Sequence, residues 1–194
     1  MPTDDELAGA LTAARAGEEH GFAVLWRALH PAVLRYLRVV AGDAAEDAAS
    51  ETWLQVARDL DRFAGDPAAF RGWLFRIARH RGIDELRRAG RRREDLAETI
   101  ENGPACRDTA AEVIEGAETA WALSRIAALP VDQAEAVMLR VVAGLDVAAT
   151  AQVLGKRRGA VRIATMRGLR RLALDPQVRS RVAGTSPHDA VREV

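Results

Sequence analysis

The sequence predicts an all-α chain: two small helical domains joined by a flexible acidic linker, the second containing a helix-turn-helix. Three observations carry this. Apolar residues recur at three- and four-residue steps through most of the 194 residues, and no run alternates apolar with polar residues as a half-buried strand does. Residues 89–117 break that periodicity with Gly90, Gly103, Pro104 and the acids Glu94, Asp95, Glu98, Glu101, Asp108, Glu112 and Glu115, the composition of a linker with at most transient helix. Residues 144–172, GLDVAATAQVLGKRRGAVRIATMRGLRRL, carry helix start, turn and restart signals within one short stretch.

Taken in order, residues 4–16 predict a short helix through Leu7 and Leu11 that ends at Gly17. Residues 19–40 place Phe22, Leu25, Trp26, Leu29, Val33, Leu34 and Leu37 at helical spacing. Pro31 is expected to kink or interrupt that helix, because it lacks an amide proton and its ring clashes with the preceding turn. Gly42 ends it, and Asp43 is expected to cap a helix through about Leu60. Residues 61–66 read as a loop. Asp66 followed by Pro67 is a cap and a first-turn proline, starting a helix to about Arg88 with Phe70, Trp73, Leu74, Ile77 and Leu86 toward a core. Gly82 lies inside that helix at modest cost. After the linker, a helix over 118–129 stops at Pro130, and Asp132 begins the next. The domains expected are an N-terminal extension 1–17, a first module 18–93, a linker 94–117, a second module 118–174 and a disordered tail 175–194.

In residues 144–172, Asp146 can accept a bond from the first turn of a short helix. Ala151 is small where two helices cross, and Gly155 supplies the left-handed backbone of a tight turn. Val161 then points back into the first helix. Thr150 and Lys156 stand where an apolar residue is more usual. The second helix and its approach carry Lys156, Arg157, Arg158, Arg162, Arg167, Arg170 and Arg171, with no acid, which suits a phosphate-lined groove. A solvated basic helix on an ordinary bundle would carry the same charge; the small-residue, glycine and valine spacing arriving with it favours the helix-turn-helix.

Net charge is +0, yet it is unevenly spread: residues 71–93 and 156–171 are basic and 94–118 acidic, as expected of a chain that touches nucleic acid in two places. On the first basic segment Arg76, Arg79, His80, Ile83 and Arg87 share a face, extended by Arg88, with Trp73, Ile77 and Phe70 marking the other side. Basic groups beside aromatics suit unstacked nucleic acid; Phe70 reads rather as core, Trp73 fits either role, and Asp84 is expected to pair with Arg87 or Arg88. Cys106 is the single cysteine, and His20, His30, His80 and His188 show no ligand spacing, so no disulfide within the chain, metal site or cofactor is expected. No apolar run reaches a membrane span and the N-terminus is acidic, so a cytoplasmic protein without membrane insertion is the expectation. No nucleophile with a positioned base and no glycine-rich phosphate cradle is found, which argues against an enzyme.

The order DAAEDAASETWLQVARDLDRF, FRGWLFRIARHRGIDELRR, a tether, then LPVDQAEAVMLRVVAGLDVAATAQVLGKRRGAVRIATMRGLRRL resembles the extracytoplasmic-function class of bacterial RNA polymerase sigma factors, over about residues 5–174. The resemblance implies that residues 22–88 grip core polymerase and melt the minus-10 box, that 118–172 read the minus-35 box of promoter DNA, and that 94–117 thread toward the active-site cleft and RNA exit path. It places Glu46, Asp47, Trp53, Leu54 and Val56 on the polymerase-binding helix. It places Arg62, Phe63, Trp73, Arg76, Arg79, His80, Arg87 and Arg88 at the minus-10 surface, and Lys156, Arg157, Arg158, Arg162, Arg167 and Arg170 on or beside the minus-35 helix. It also implies an anti-sigma inhibitor as partner. Three positions depart from the frequent pattern: Ser50 for glutamine, His80 for asparagine, and Ile163-Ala164 for a Ser-Arg pair. A free-standing, dimeric helix-turn-helix regulator is the alternative; it leaves the first basic helix and the acidic tether without a role. The little apolar surface of the tether further predicts that the two modules flex about it in the free protein.

Overall fold

The structure, a computed structural model, describes residues 4–97 and 116–184. The described residues form helices throughout: α1 Asp4–Arg15, α2 Glu19–Ala41, α3 Ala45–Asp59, α4 Pro67–Ala97, α5 Ala117–Ala127, α6 Val131–Val137, α7 Val147–Leu154, α8 Arg158–Leu174 and α9 Pro176–Gly184. One-turn 3-10 segments lie at Gly42–Ala44 and Leu60–Arg62, and a π-helical turn at Met138–Val142 extends α6. The expected linker falls outside the described residues over 98–115.

The first module is a four-helix assembly. Leu7 and Leu11 of α1 dock on α2, and Gly17, with φ of 86°, makes the turn between them. The close approach is set by Gly21: a Cβ there would lie 2.5 Å from the Ala14 amide nitrogen and 2.7 Å from the Ala10 carbonyl oxygen. Leu25, Leu29, Val33 and Tyr36, at three- and four-residue steps with Leu37 beside them, form the buried stripe of α2. The helix runs through Pro31 without ending, which corrects the expected interruption. Pro31 is exposed, so its ring sits on the solvent side, and burial of the opposite face outweighs one missing amide bond. Asp43 is likewise not the cap of α3; it lies in the 3-10 turn and Ala44 holds the capping position. Asp66 does cap α4, its Oδ1 accepting from the Ala69 amide at 2.7 Å. The helix continues past Arg88 to Ala97. Gly82 within it has a packing reason, since a Cβ would meet Leu37 Cδ2 at 2.8 Å.

In the second module α6 packs on α8, and α7 joins α8 through the turn at Gly155, whose φ of 63° and ψ of 33° are the left-handed pair expected there. Asp146 Oδ1 accepts from the Ala149 amide at 2.6 Å. Ala151 is buried at the crossing and Val161 is fully buried beneath it. Thr150 is buried too; its hydroxyl donates to the Asp146 carbonyl at 2.7 Å, so a polar residue stands at an apolar position at no unsatisfied cost.

Two expectations about the ends and the whole are corrected. The tail is not disordered from residue 175: Pro176 starts α9, with Asp175 Oδ1 accepting from the Gln177 amide at 2.8 Å. Arg181 of α9 pairs with Glu118 and lies 4.6 Å from the ring centre of Trp121, tying this helix to α5. Residues 185–194 lie outside the described residues. The modules also do not stand apart. α4 packs along α7, α2 touches α5, α6 and the π turn, and Leu123, Met138 and Leu139 share one apolar cluster with Tyr36 and Phe75. Apolar positions on α2 and α5 thus join one buried cluster across the two modules.

Candidate nucleic-acid and polymerase interfaces

The residues expected to bind polymerase divide between two faces of α3. Glu46, Asp47 and Leu54 are exposed, Leu54 at 56%, and Asp47, Ser50 and Leu54 follow at helical spacing on one outer strip. Glu46 faces Arg38 at 3.6 Å. Trp53 and Val56 point inward, 6% and 0% exposed, and are corrected from contact residues to core. Trp53 meets Phe22 edge-on at 5.8 Å, and its Nε1 donates to His30 Nδ1 at 3.1 Å. His30 in turn stacks on Trp26 at 4.6 Å, and Trp26 is 41% exposed. Burial lowers the His30 pKa below its ordinary value; Glu46 opposes that shift and Arg38 adds to it.

The first basic helix places its residues less uniformly than the sequence implies. Phe70 is core, 1% exposed, as its spacing suggests. Phe63 is mostly buried, at 8%, packs on Phe70 at 5.5 Å and Trp73 at 5.1 Å, and lines the same cleft as Trp73. Trp73 is half-buried and, with Asp59, Arg62 and Arg76, lines a cleft of about 410 Å³. The opposite wall of that cleft is Ala149, Gln152 and Val153 of α7. His80, Arg87 and Arg88 are exposed further along; Arg87 faces Asp84 at 3.9 Å, and Arg88 pairs with the buried Glu85. Arg79 leaves this set. Its Nε donates to Glu135 Oε1 at 2.7 Å and its Nη2 to Oε2 at 3.3 Å, a two-pronged bond to the other module.

Glu135 is the residue the sequence reading missed. It is 3% exposed, and Tyr36 Oη also donates to its Oε1 at 3.1 Å. Burial, then the Glu135 charge, push the Tyr36 pKa well above its ordinary value, so the phenol keeps its proton and remains a donor. Burial works against the Arg79 charge, but the bond to Glu135 and its charge outweigh that and raise the Arg79 pKa. An acid flanked by Ala134, Ala136, Val137 and Met138 was the available signal, since a carboxylate on a buried face requires a partner.

On α8 the buried side is Val161 and Gly168. Arg162, Ile163, Met166, Arg167 and Arg170 occupy the solvent arc, and Arg157 and Arg158 are exposed at its start. Among the described residues no carboxylate is paired with Arg157, Arg158, Arg162, Arg167 or Arg170. Lys156 is the exception in the expected set, its Nζ lying 2.5 Å from Asp132 Oδ1, which places it against α6. Among the described residues no group of histidine, cysteine and acid side chains could hold a metal, and no helix is long and apolar enough to cross a membrane.

Two helical modules with a basic surface on each, one of them a helix-turn-helix, define the class, and comparison with known proteins gives the family. The profile of Sigma-70 region 2 matches residues 25–92, and that of Sigma-70 region 4 matches residues 120–172. The chain is 33% identical over 175 residues to the ECF RNA polymerase sigma factor SigD of Mycobacterium tuberculosis, covering 87% of this chain and 82% of that protein. It is 34% identical over 163 residues to the ECF sigma factor BldN of Streptomyces coelicolor, covering 82% of this chain and 62% of that longer protein. With ShbA of Streptomyces griseus the identity is 36% over 155 residues, covering 74% and 81%. The fold is similar to CnrH, solved in complex with the cytosolic domain of CnrY, at a TM-score of 0.58 and 23% identity over 89% of this chain and 96% of that one. The chain belongs to the ECF RNA polymerase sigma factors, proteins of promoter-specific transcription initiation.

Proposed function

We propose that residues 25–92 bind core polymerase and read the melted minus-10 element, and that α7 and α8 read the minus-35 element, in the cytoplasm and without covalent chemistry. The observation that carries this is the solvent arc of α8: Arg157, Arg158, Arg162, Arg167 and Arg170 are exposed and their charge is available to phosphate. The outer strip of Asp47 and Leu54 on α3 is the polymerase contact, with Trp53 and Val56 holding that helix in place from inside. Trp73, Arg62 and Arg76 offer an aromatic face beside two cations, the pairing that single-stranded DNA binds through stacking and phosphate contacts. An anti-sigma protein is the natural antagonist; the sigma factor RpoE of Bartonella quintana, similar in fold at a TM-score of 0.58 and 21% identity, was solved with the anti-sigma factor NepR.

Run-off transcription with core polymerase on a genomic fragment library tests the reading, with start-site mapping to give the promoter elements. Leu54→Arg is expected to abolish core binding in a folded protein. Arg162→Ala and Arg167→Ala are expected to spare assembly and weaken the upstream contact, either lowering the salt slope by about one or costing about 1–3 kcal/mol at one base position. Specific initiation that survives all three substitutions unchanged would contradict the assignment. Independent binding of an operator by a dimer, without core, would favour the free-standing regulator.

A further inference from the structure

We propose that Glu135 of the second module occupies, on Arg79, the place of a DNA phosphate, so that the closed arrangement of the modules and single-stranded DNA compete for the same guanidinium. This rests on the reading of α4 as a DNA-binding helix. Arg79 lies on that helix one turn from Arg76, yet it is turned to Glu135 through its Nε and Nη2 edge. Carboxylate and phosphate present the same pair of oxygens to that edge, and a guanidinium edge holds one such partner at a time. Glu135 could not be left bare: it is 3% exposed, and burying an unpaired carboxylate is costly. Tyr36 Oη, fully buried on α2, supplies a third hydrogen bond, so two residues of the first module donate to one acid of the second.

The rest of the contact points the same way. α7 lies along α4 so closely that a Cβ on Gly72 would sit 3.7 Å from Ala149 Cβ. Ala149, Gln152 and Val153 thereby form a wall over the cleft of Trp73, Arg62 and Arg76. The groups best suited to stack on a base and hold its phosphate are thus narrowed by the module that carries the other DNA surface. Opening the contact releases Arg79 and uncovers the cleft in one step. Glu135 becomes exposed at the same time, where solvation replaces its lost partners. The occupant that stabilises the open form is a polyanion with spaced phosphates, and a single-stranded oligodeoxynucleotide has that chemistry.

The test uses the full chain with Cys106→Ser and dye-labelled cysteines at the exposed positions Ala57 and Ala173, one on each module. Wild type is expected to give one short-distance population by single-molecule fluorescence transfer. Glu135→Gln removes the charge, keeps the size, and is expected to populate a long-distance state. It is also expected to raise affinity for a fluorescent single-stranded oligodeoxynucleotide about tenfold, equivalent to about 1.4 kcal/mol. Tyr36→Phe, which removes the hydroxyl that donates to Glu135, should shift both readouts in the same direction by less, and it serves if Glu135→Gln does not fold. The proposal is overturned if folded Glu135→Gln and Tyr36→Phe proteins keep the short distance. It is equally overturned if they open while oligonucleotide affinity stays at the wild-type value, which would leave the α4 reading intact. If the oligonucleotide binds none of the three proteins, the α4 reading itself fails, and the competition with it.

Discussion

Trp53 Nε1 donates to His30 Nδ1, so the imidazole must present a bare nitrogen there and be neutral in the folded protein. The lowered pKa of His30 is consistent with that geometry, with burial as its main cause. The unfolded chain therefore binds a proton at this residue more readily than the folded one. The sign follows: the contribution of His30 to stability is complete above its ordinary value of 6.5 and is lost as pH falls from there through the folded-state pKa. Denaturant midpoints measured between pH 8 and pH 5 should fall on acidification, and His30→Gln, which keeps an acceptor and cannot charge, should flatten that fall. Equal slopes for the two proteins would remove His30 as the cause. None of this was visible in spacing. His30 was one of four scattered histidines, and its partner lies 23 residues away on another helix. Residues whose roles depend on a local turn, such as Asp66, Asp146 and Gly155, were legible because partner and turn lie within four residues. Trp53 and Val56 were misplaced because a family position says which helix meets a partner, while burial on this chain decides which side chains of that helix can do so.

At the scale of elements, the helix order was legible from periodicity, but the packing distances were not, because they depend on which small residues face each other. Gly9 and Gly21 sit on two helices in contact and look alike in sequence. A Cβ on Gly9 meets nothing within 4 Å, whereas one on Gly21 would run into backbone atoms of Ala14 and Ala10. Backbone cannot yield as a side-chain tip can, so the two substitutions should have opposite signs. Gly9→Ala is expected to stabilise by about 0.5–1 kcal/mol through helix propensity. Gly21→Ala is expected to destabilise by about 1–3 kcal/mol and to loosen α1 from α2. Thermal melts compare the two, and amide exchange in α1 reports its release; destabilisation by both, or by neither, would show that α1 is not seated as described. The same reasoning explains α9. Its apolar content is low, so periodicity gave no helix, and its ties to α5 are Arg181 on Glu118 and Trp121 and Gln177 accepting from Arg125, contacts across the module that no local pattern encodes.

At the scale of the molecule, the two basic faces and their order along the chain were legible, and the relation between the modules was not. The reading of two bodies on a tether followed from a segment poor in apolar residues, but such a segment says nothing about surfaces elsewhere that meet. Here the meeting surface joins Tyr36 to Glu135, 99 residues apart, and Arg79 to Glu135, 56 apart. It also buries Leu123, Met138 and Leu139 in one cluster with Tyr36 and Phe75. Burial of that kind contributes about 25 cal/mol for each Å² of apolar surface removed from water, which a covalent connection is not needed to maintain. A specific protease site inserted between Gly103 and Pro104 should therefore give two fragments that co-elute on gel filtration at micromolar concentration. The ion pair is partly buried and so less screened than a surface pair, and raising salt from 0.1 to 0.5 M should leave most of the fragments associated. Glu135→Arg sets a second cation against the partly buried Arg79 at a position that is itself buried, and the same cleavage should then release separate fragments. Wild-type fragments that elute apart from the outset would mean that the connection, and not the interface, keeps the two halves together.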